Sequence, residues 1–194
     1  EYIPNGNCGN WELFGEKLAI LHSNKNEFFG LDYDNYIGSL EQINKNEDDW
    51  KDFYSNQRIL HLTKLAFNRE LLSKTDLKQL EELCLKLDTY IPFTEPSLIH
   101  GDLWSGNLIF NSEGEPVFID PAIYYGHPEM DWAMLSLFGS YPEVAMKSYC
   151  NIIPIESNYF EREKIYQLYP LLVHLILFGK SYYRNISEIL NFYS

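Results

Sequence analysis

The sequence predicts a mainly helical α+β domain with one embedded β-hairpin, on three observations. Apolar residues recur at helical spacing through most of the first half and again from residue 129 onward. In the middle, two short apolar runs at 108–110 and 117–119 flank the turn-forming stretch Asn111-Ser-Glu-Gly114-Glu-Pro116. The composition, 45% hydrophobic and 16% aromatic over 194 residues, supplies a core for one domain and excludes a disordered, collagen-like or coiled-coil chain.

The helices follow in order. Asn10 precedes Trp11, Phe14, Leu18 and Leu21, which fall on one helical face. Residues 30–46 are rich in Gly, Asn, Asp and Ser and read as a long loop, a type often functional inside a compact domain. A second helix is expected from residue 47 towards 66. It carries Trp50, Phe53 and Leu60, and the acidic start Glu47-Asp48-Asp49 suits the helix dipole. Ser73-Lys-Thr-Asp76 resembles a capping box, with Leu77, Leu80, Cys84 and Leu87 behind it. Further helices are expected over residues 129–138, 141–150, 160–178 and 187–192, the third kinked by Pro170.

Charge and cysteine usage narrow the function. Lys and Arg total 15 against 28 Asp and Glu, a net charge of −13. So acidic a surface repels phosphate backbones and anionic lipid, so nucleic acid and membrane are not expected partners, and amines suit it better. The longest apolar run, 171–178, is far short of the roughly 20 residues a membrane span needs. Cys8, Cys84 and Cys150 form neither a disulfide framework nor metal-ligand spacing. A reducing, cytoplasmic compartment is the expectation.

The chemistry gathers at the open end of the hairpin. Pairing about a Glu113-Gly114 turn would place Asn107 opposite Asp120, with Cβ atoms about 5 Å apart. An amide oxygen and a carboxylate at that distance can share Mg²⁺, which also takes phosphate oxygens. Asp102, five residues before Asn107, can face the same space as a base. This set suits phosphoryl transfer, in which charge on the phosphates must be neutralised and the attacking hydroxyl oriented and deprotonated. The segment His100-Gly-Asp-Leu-Trp-Ser-Gly-Asn107 matches the kinase catalytic-loop spacing H-x-D-L-x-x-x-N, and Asp120-Pro-Ala122 takes the place of Asp-Phe-Gly. Trp104 suits either a packing anchor or a substrate-stacking face. His22 reads as a structural helix residue and Asp131 as an acceptor bracing the loop. His174, on an apolar helix, reads by itself as a satisfied core histidine.

That loop, followed by Ile119-Asp-Pro-Ala122 and Tyr124-Tyr-Gly-His-Pro-Glu-Met-Asp131, resembles the fructosamine kinase (ketosamine kinase) family. Asp34-Asn-Tyr-Ile-Gly38, Leu137-Phe-Gly139, Tyr166-Gln-Leu-Tyr169 and residues 174–179 carry the resemblance over nearly the whole chain. The wider aminoglycoside phosphotransferase-like superfamily shares only the His-Gly-Asp, Asn and Asp pattern. The resemblance implies the C-terminal lobe of a protein-kinase-like fold and an ATP- and Mg²⁺-dependent enzyme. Such an enzyme phosphorylates the sugar of ketosamines, free or protein-bound, so that the adduct falls off. It implies Asp102 as base, Asn107 and Asp120 as magnesium ligands, and Trp104 and His174 at the sugar. Glu1 and Ile3 would end the hinge that meets the nucleotide. Residues 1–194 are then expected to be a single catalytic and substrate-binding lobe, with the small nucleotide-binding lobe preceding Glu1. No GxGxxG or Walker-type motif occurs within the chain, and Pro170 stands where the family pattern calls for another residue. Two other functions compete: a kinase of another small alcohol, such as an aminoglycoside or choline, and an inactive kinase-lobe binding module.

Overall fold

The computed structural model describes residue 6 and residues 9–193; Glu1, Ile3 and Cys8 lie outside the described residues. Helix α1 (Trp11–His22) starts where Asn10 accepts a hydrogen bond from the Leu13 amide at 2.9 Å. Helix α2 (Trp50–Phe53), capped by Asp49, runs without a break through a π-helical stretch, Tyr54–Leu60, into α3 (His61–Asn68). Helix α4 (Lys74–Leu85) opens on the capping box: Ser73 Oγ accepts from the Asp76 amide, and the Asp76 carboxylate accepts from the Ser73 amide at 2.7 Å. Helices α5 (Glu129–Leu137), α6 (Glu143–Cys150), α7 (Tyr159–Phe178) and α8 (Tyr183–Tyr193) complete the helical part.

Six short strands form three separate antiparallel pairs among the described residues, two of them hairpins, where one hairpin was expected. β1 (Asn35–Ile37) and β2 (Leu40–Gln42) make a hairpin where a loop was expected, turning through Gly38 at φ +57°. Only three residues on each side pair, and the polar residues among them gave no alternating apolar signal. β3 (Ser97–Ile99) pairs with β6 (Tyr124–Gly126), and β4 (Leu108–Phe110) pairs with β5 (Pro116–Phe118).

The β4–β5 register differs by one residue from the expected one: Leu108 faces Phe118, not Ile119. The turn is the reason. Asn111 pairs with Glu115 through the Asn111 amide and the Glu115 carbonyl, which leaves a three-residue loop ending at Gly114 with φ +79°. Asn111 Oδ1 locks it by accepting from the amides of Glu113 and Glu115.

Two apolar clusters flank the pairs. The larger joins Phe53, Tyr54, Leu80 and Leu87 to the buried face of α7. The smaller packs α1 against α6 through Phe14, Leu18, Trp132, Ala145 and Tyr149, and it also takes Leu103. α7 runs through Pro170 as one 20-residue helix. Proline removes the amide that would bond the Tyr166 carbonyl. The buried Tyr54 hydroxyl occupies that side of the helix, donating to the Ile165 carbonyl at 2.7 Å and reaching the Tyr166 carbonyl at 3.3 Å. No helix among the described residues is long and apolar enough to cross a membrane.

Candidate active site

The segment after β3 is fastened at every turn. Leu103, fully buried, anchors it in the smaller cluster. Gly101 has φ +79°, and a Cβ there would lie 2.1 Å from the Ala122 carbonyl oxygen, so only glycine fits. Asp131 accepts from the His100 amide at 2.7 Å and the Gly101 amide at 2.9 Å, and His22 Nε2 contacts the same carboxylate at 3.1 Å. His22 Nδ1 in turn meets the Tyr149 hydroxyl at 2.8 Å. Burial pushes the Asp131 carboxyl up. The hydrogen bond and charge of His22, with the His100 contacts, outweigh it and leave the carboxyl below its ordinary range.

His100 ties the two halves together. Its Nε2 lies 3.0 Å from the Ile119 carbonyl, which can only accept, so Nε2 carries the proton and Nδ1 accepts from the Asp102 amide at 3.3 Å. The Ala122 amide donates to the His100 carbonyl at 2.9 Å. The loop bearing Asp102 and the segment bearing Asp120 are therefore one unit.

Asn107, buried at the end of a 3₁₀ turn (Ser105–Asn107), donates from Nδ2 to the Asp102 carbonyl at 2.9 Å and to Asp102 Oδ2 at 3.0 Å. Both partners are acceptors, so Oδ1 of Asn107 and Oδ1 of Asp102 stay available. Burial pushes the Asp102 carboxyl above the usual carboxylate range. The charges of His100 and His174 and the Asn107 amide pull against this, and Asp131 adds to it.

Asp120 does not face Asn107 across the ladder as expected. The Ile119 amide takes that place, donating to the Asn107 carbonyl at 3.0 Å. Asp120 is the next residue, at φ +49°, a conformation uncommon for a non-glycine residue and concentrated at functional sites. It is exposed, and among the described residues its carboxylate has no hydrogen-bond or ion-pair partner. An amide oxygen and a free carboxylate on adjoining backbone are hard oxygen donors of the kind Mg²⁺ takes, so the residues fit that ion. Among the described residues no group of three or more His, Cys, Asp and Glu could hold a metal by itself, so such an ion would take its remaining ligands from water and phosphate.

Trp104 is 40% exposed, lying over Gly106. His174 sits on α7, ringed by Phe138, Tyr182 and Phe178 at centroid distances of 4.4, 5.0 and 5.3 Å. Its Nδ1 donates to the Pro170 carbonyl at 2.8 Å, and among the described residues Nε2 has no hydrogen-bond partner. Sequence reasoning missed the aromatic ring around His174 and the bridging role of His100, which depend on tertiary placement rather than spacing.

A half-buried carboxylate, an amide beside it and an exposed aspartate just beyond β5 are the groups that kinase-type phosphoryl transfer uses. The comparisons narrow it. The fructosamine kinase family model matches residues 1–193, and the chain belongs to that family. It is similar to a probable ketoamine kinase of Lactiplantibacillus plantarum, 39% identical over 192 residues, covering 98% of this chain and 68% of that one. It is also similar to the chloroplastic protein-ribulosamine 3-kinase of Arabidopsis thaliana, 35% identical over 199 residues, covering all of this chain and 60% of that one. The crystal structure of a candidate fructosamine-3-kinase from Thermobifida fusca superposes with a TM-score of 0.93 at 35% identity, covering 100% of this chain and 68% of its own. The chain thus spans 60 to 68% of the length of these relatives.

Proposed function

We propose that this chain carries the base and the acceptor site of an ATP-dependent kinase that phosphorylates a sugar hydroxyl of ketosamines. Family membership supports the reaction class and ATP as donor, and the ketoamine and ribulosamine names of the relatives support the acceptor. Protein-bound adducts are included, on the name of the Arabidopsis relative. The observation that carries the mechanism is the double hydrogen bond from Asn107 to Asp102. It holds one carboxylate oxygen and leaves the other to accept the proton of the attacking hydroxyl. The raised affinity of Asp102 for a proton makes it a better acceptor than an exposed aspartate.

The Nε2 of His174 can bond a second sugar hydroxyl, and the exposed indole of Trp104 offers an apolar face to the ring. Asn107 Oδ1 and Asp120 would hold Mg²⁺, which when bound neutralises phosphate charge. We assign residues 1–194 the part of the C-terminal, acceptor-binding lobe, with Glu1 and Ile3 at the nucleotide. A reducing, cytoplasmic compartment accords with Cys84 and Cys150, both free, the first buried with its thiol pushed up to about 11 by burial.

The test is ADP release from Mg²⁺-ATP with ribulosyl-lysine as acceptor in the whole protein, with Asp102→Asn as the blank. Acceptor-dependent release that the variant lacks is the expected result. Equal release from both would remove Asp102 from its role, and release with choline or an aminoglycoside but not ribulosyl-lysine would change the acceptor.

A further inference from the structure

The β1–β2 hairpin takes no part in the chemistry above, yet its polar side chains are directed to the backbone that follows Asp120. Asn35 Nδ2 donates to the Ile123 carbonyl at 2.8 Å. Gln42 Nε2 donates to the Ala122 carbonyl at 3.1 Å and to Asn35 Oδ1 at 2.7 Å, while its Oε1 accepts from the Tyr169 hydroxyl of α7 at 2.6 Å. Behind them Asn44 donates to Asn35 Oδ1 at 2.9 Å and accepts from Arg58 at 2.7 Å. Gln42, Asn44 and Arg58 are 2%, 0% and 0% exposed.

Arg58 is an unusual choice for such a position. Among the described residues no carboxylate lies within 4 Å of it; its charge is met by the Ile43 carbonyl, by Asn44 and by the face of Tyr124 at 4.0 Å. Burying a cation and three amides costs more than apolar packing of the same volume, so stability alone does not account for this network. What it secures is one short piece of backbone. Segment 119–123 is held on one side by His100, through the Ile119 carbonyl and the Ala122 amide, and on the other by Gln42 and Asn35. Between these fastenings stands Asp120 in its left-handed conformation, which persists only when the surroundings over-determine it.

We propose that Gln42 and Asn35 are positioning residues for the metal-holding carboxylate of Asp120, acting through the backbone of residues 122 and 123. The proposal rests on the reading of Asp120 as a magnesium ligand. Groups that orient a ligand from behind typically change metal affinity by about 10- to 100-fold when removed.

The test is calorimetric titration of ADP into the whole protein with and without Mg²⁺. In the wild type Mg²⁺ is expected to tighten ADP binding. Gln42→Leu is expected to reduce that Mg²⁺-dependent gain by about tenfold or more while leaving metal-free ADP affinity unchanged, a split that a general loss of structure does not produce. Should Gln42→Leu fail to fold, Asn35→Asp decides. It keeps the acceptor for Gln42 and Asn44, loses the donor to Ile123, and is expected to lower the gain in the same way. A wild-type gain in the folded variant, with the gain lost in Asp120→Asn, overturns the proposal and leaves the magnesium reading standing. No gain in the wild type removes the reading and the proposal together.

Discussion

Asn107 gives both hydrogens of its side-chain amide to Asp102, one to the main-chain carbonyl and one to the carboxylate. The carboxylate is thereby fixed in direction without being neutralised, and its raised proton affinity comes from burial rather than from a like charge in contact. A group held this way is costly to the fold and useful to the reaction.

Asp102→Asn tests both consequences. Turnover is expected to fall by at least about 100-fold, the usual worth of a positioned base. Stability is expected to move the other way. Because the folded group binds its proton more tightly than the unfolded one, wild-type folding is penalised at pH above the folded value and not below the unfolded one. The variant should therefore melt higher than wild type near neutral pH, with the difference closing as pH falls through the acid range. A lower melting temperature for the variant at neutral pH would contradict the burial argument.

Asp131 has the opposite sign. Its folded carboxyl lies below its ordinary value, so it contributes stability that is present above the unfolded value and lost as pH falls through the folded one. Asp131→Asn would turn an amide N–H₂ towards the His100 or Gly101 amide, two donors facing each other. A loss of about 1–3 kcal/mol is expected in urea unfolding at neutral pH, shrinking in acid. An undiminished loss at low pH would show that the carboxylate charge is not what matters.

Gly101→Ala adds a Cβ against the Ala122 carbonyl at a position of positive φ. Backbone cannot yield as a flexible side chain does, so the loop must separate from segment 120–122. Expected are a lowered melting temperature and loss of turnover together. A variant with wild-type kinetics would mean that the two segments are not one unit.

The chemistry-bearing residues were legible because the kinase-loop spacing is local: His100, Asp102 and Asn107 lie within eight residues and their roles follow from distance along the chain. Helix starts at Asn10 and Ser73 were legible for the same reason, each being decided by a side chain and an amide three residues on. The β4–β5 register was not, because a two-residue and a three-residue turn both fit Asn111–Gly114, and the side chain of Asn111 chooses between them. Nor was the β1–β2 hairpin, whose polar residues find their partners some 80 positions away at Ala122 and Ile123. The hydroxyl of Tyr54 beside Pro170 was not legible either, because that donor comes from another helix.

That substitution can be read by a double-mutant cycle. Tyr54→Phe removes the only described side-chain donor to the Ile165 and Tyr166 carbonyls and is expected to destabilise by about 1–3 kcal/mol. Pro170→Ala restores a backbone N–H for Tyr166, so the same Tyr54→Phe change should cost less in that background. Additive losses in urea unfolding would show that the hydroxyl and the proline are independent.

His127 provides the last test. It is 3% exposed, its Nδ1 accepts from the Glu129 amide at 3.2 Å, and its Nε2 has no hydrogen-bond partner among the described residues. Burial, aided by the charges of Arg162, His22 and Lys25, pushes its imidazole down to about 3. An unfolded histidine takes up a proton below its ordinary value of about 6.5, whereas the folded one stays neutral until about 3. Between those values unfolding binds a proton at this site, so stability falls with falling pH, by on the order of 1.4 kcal/mol per pH unit for one full proton. His127→Asn keeps an acceptor for the Glu129 amide and removes the titration. Urea unfolding between about pH 7 and about pH 5 should show a shallower pH slope for the variant by up to one proton. Equal slopes would mean that His127 is protonated in the fold, although Trp50 and Tyr166 pack on its ring and the neighbouring Glu129 is already paired with Arg162.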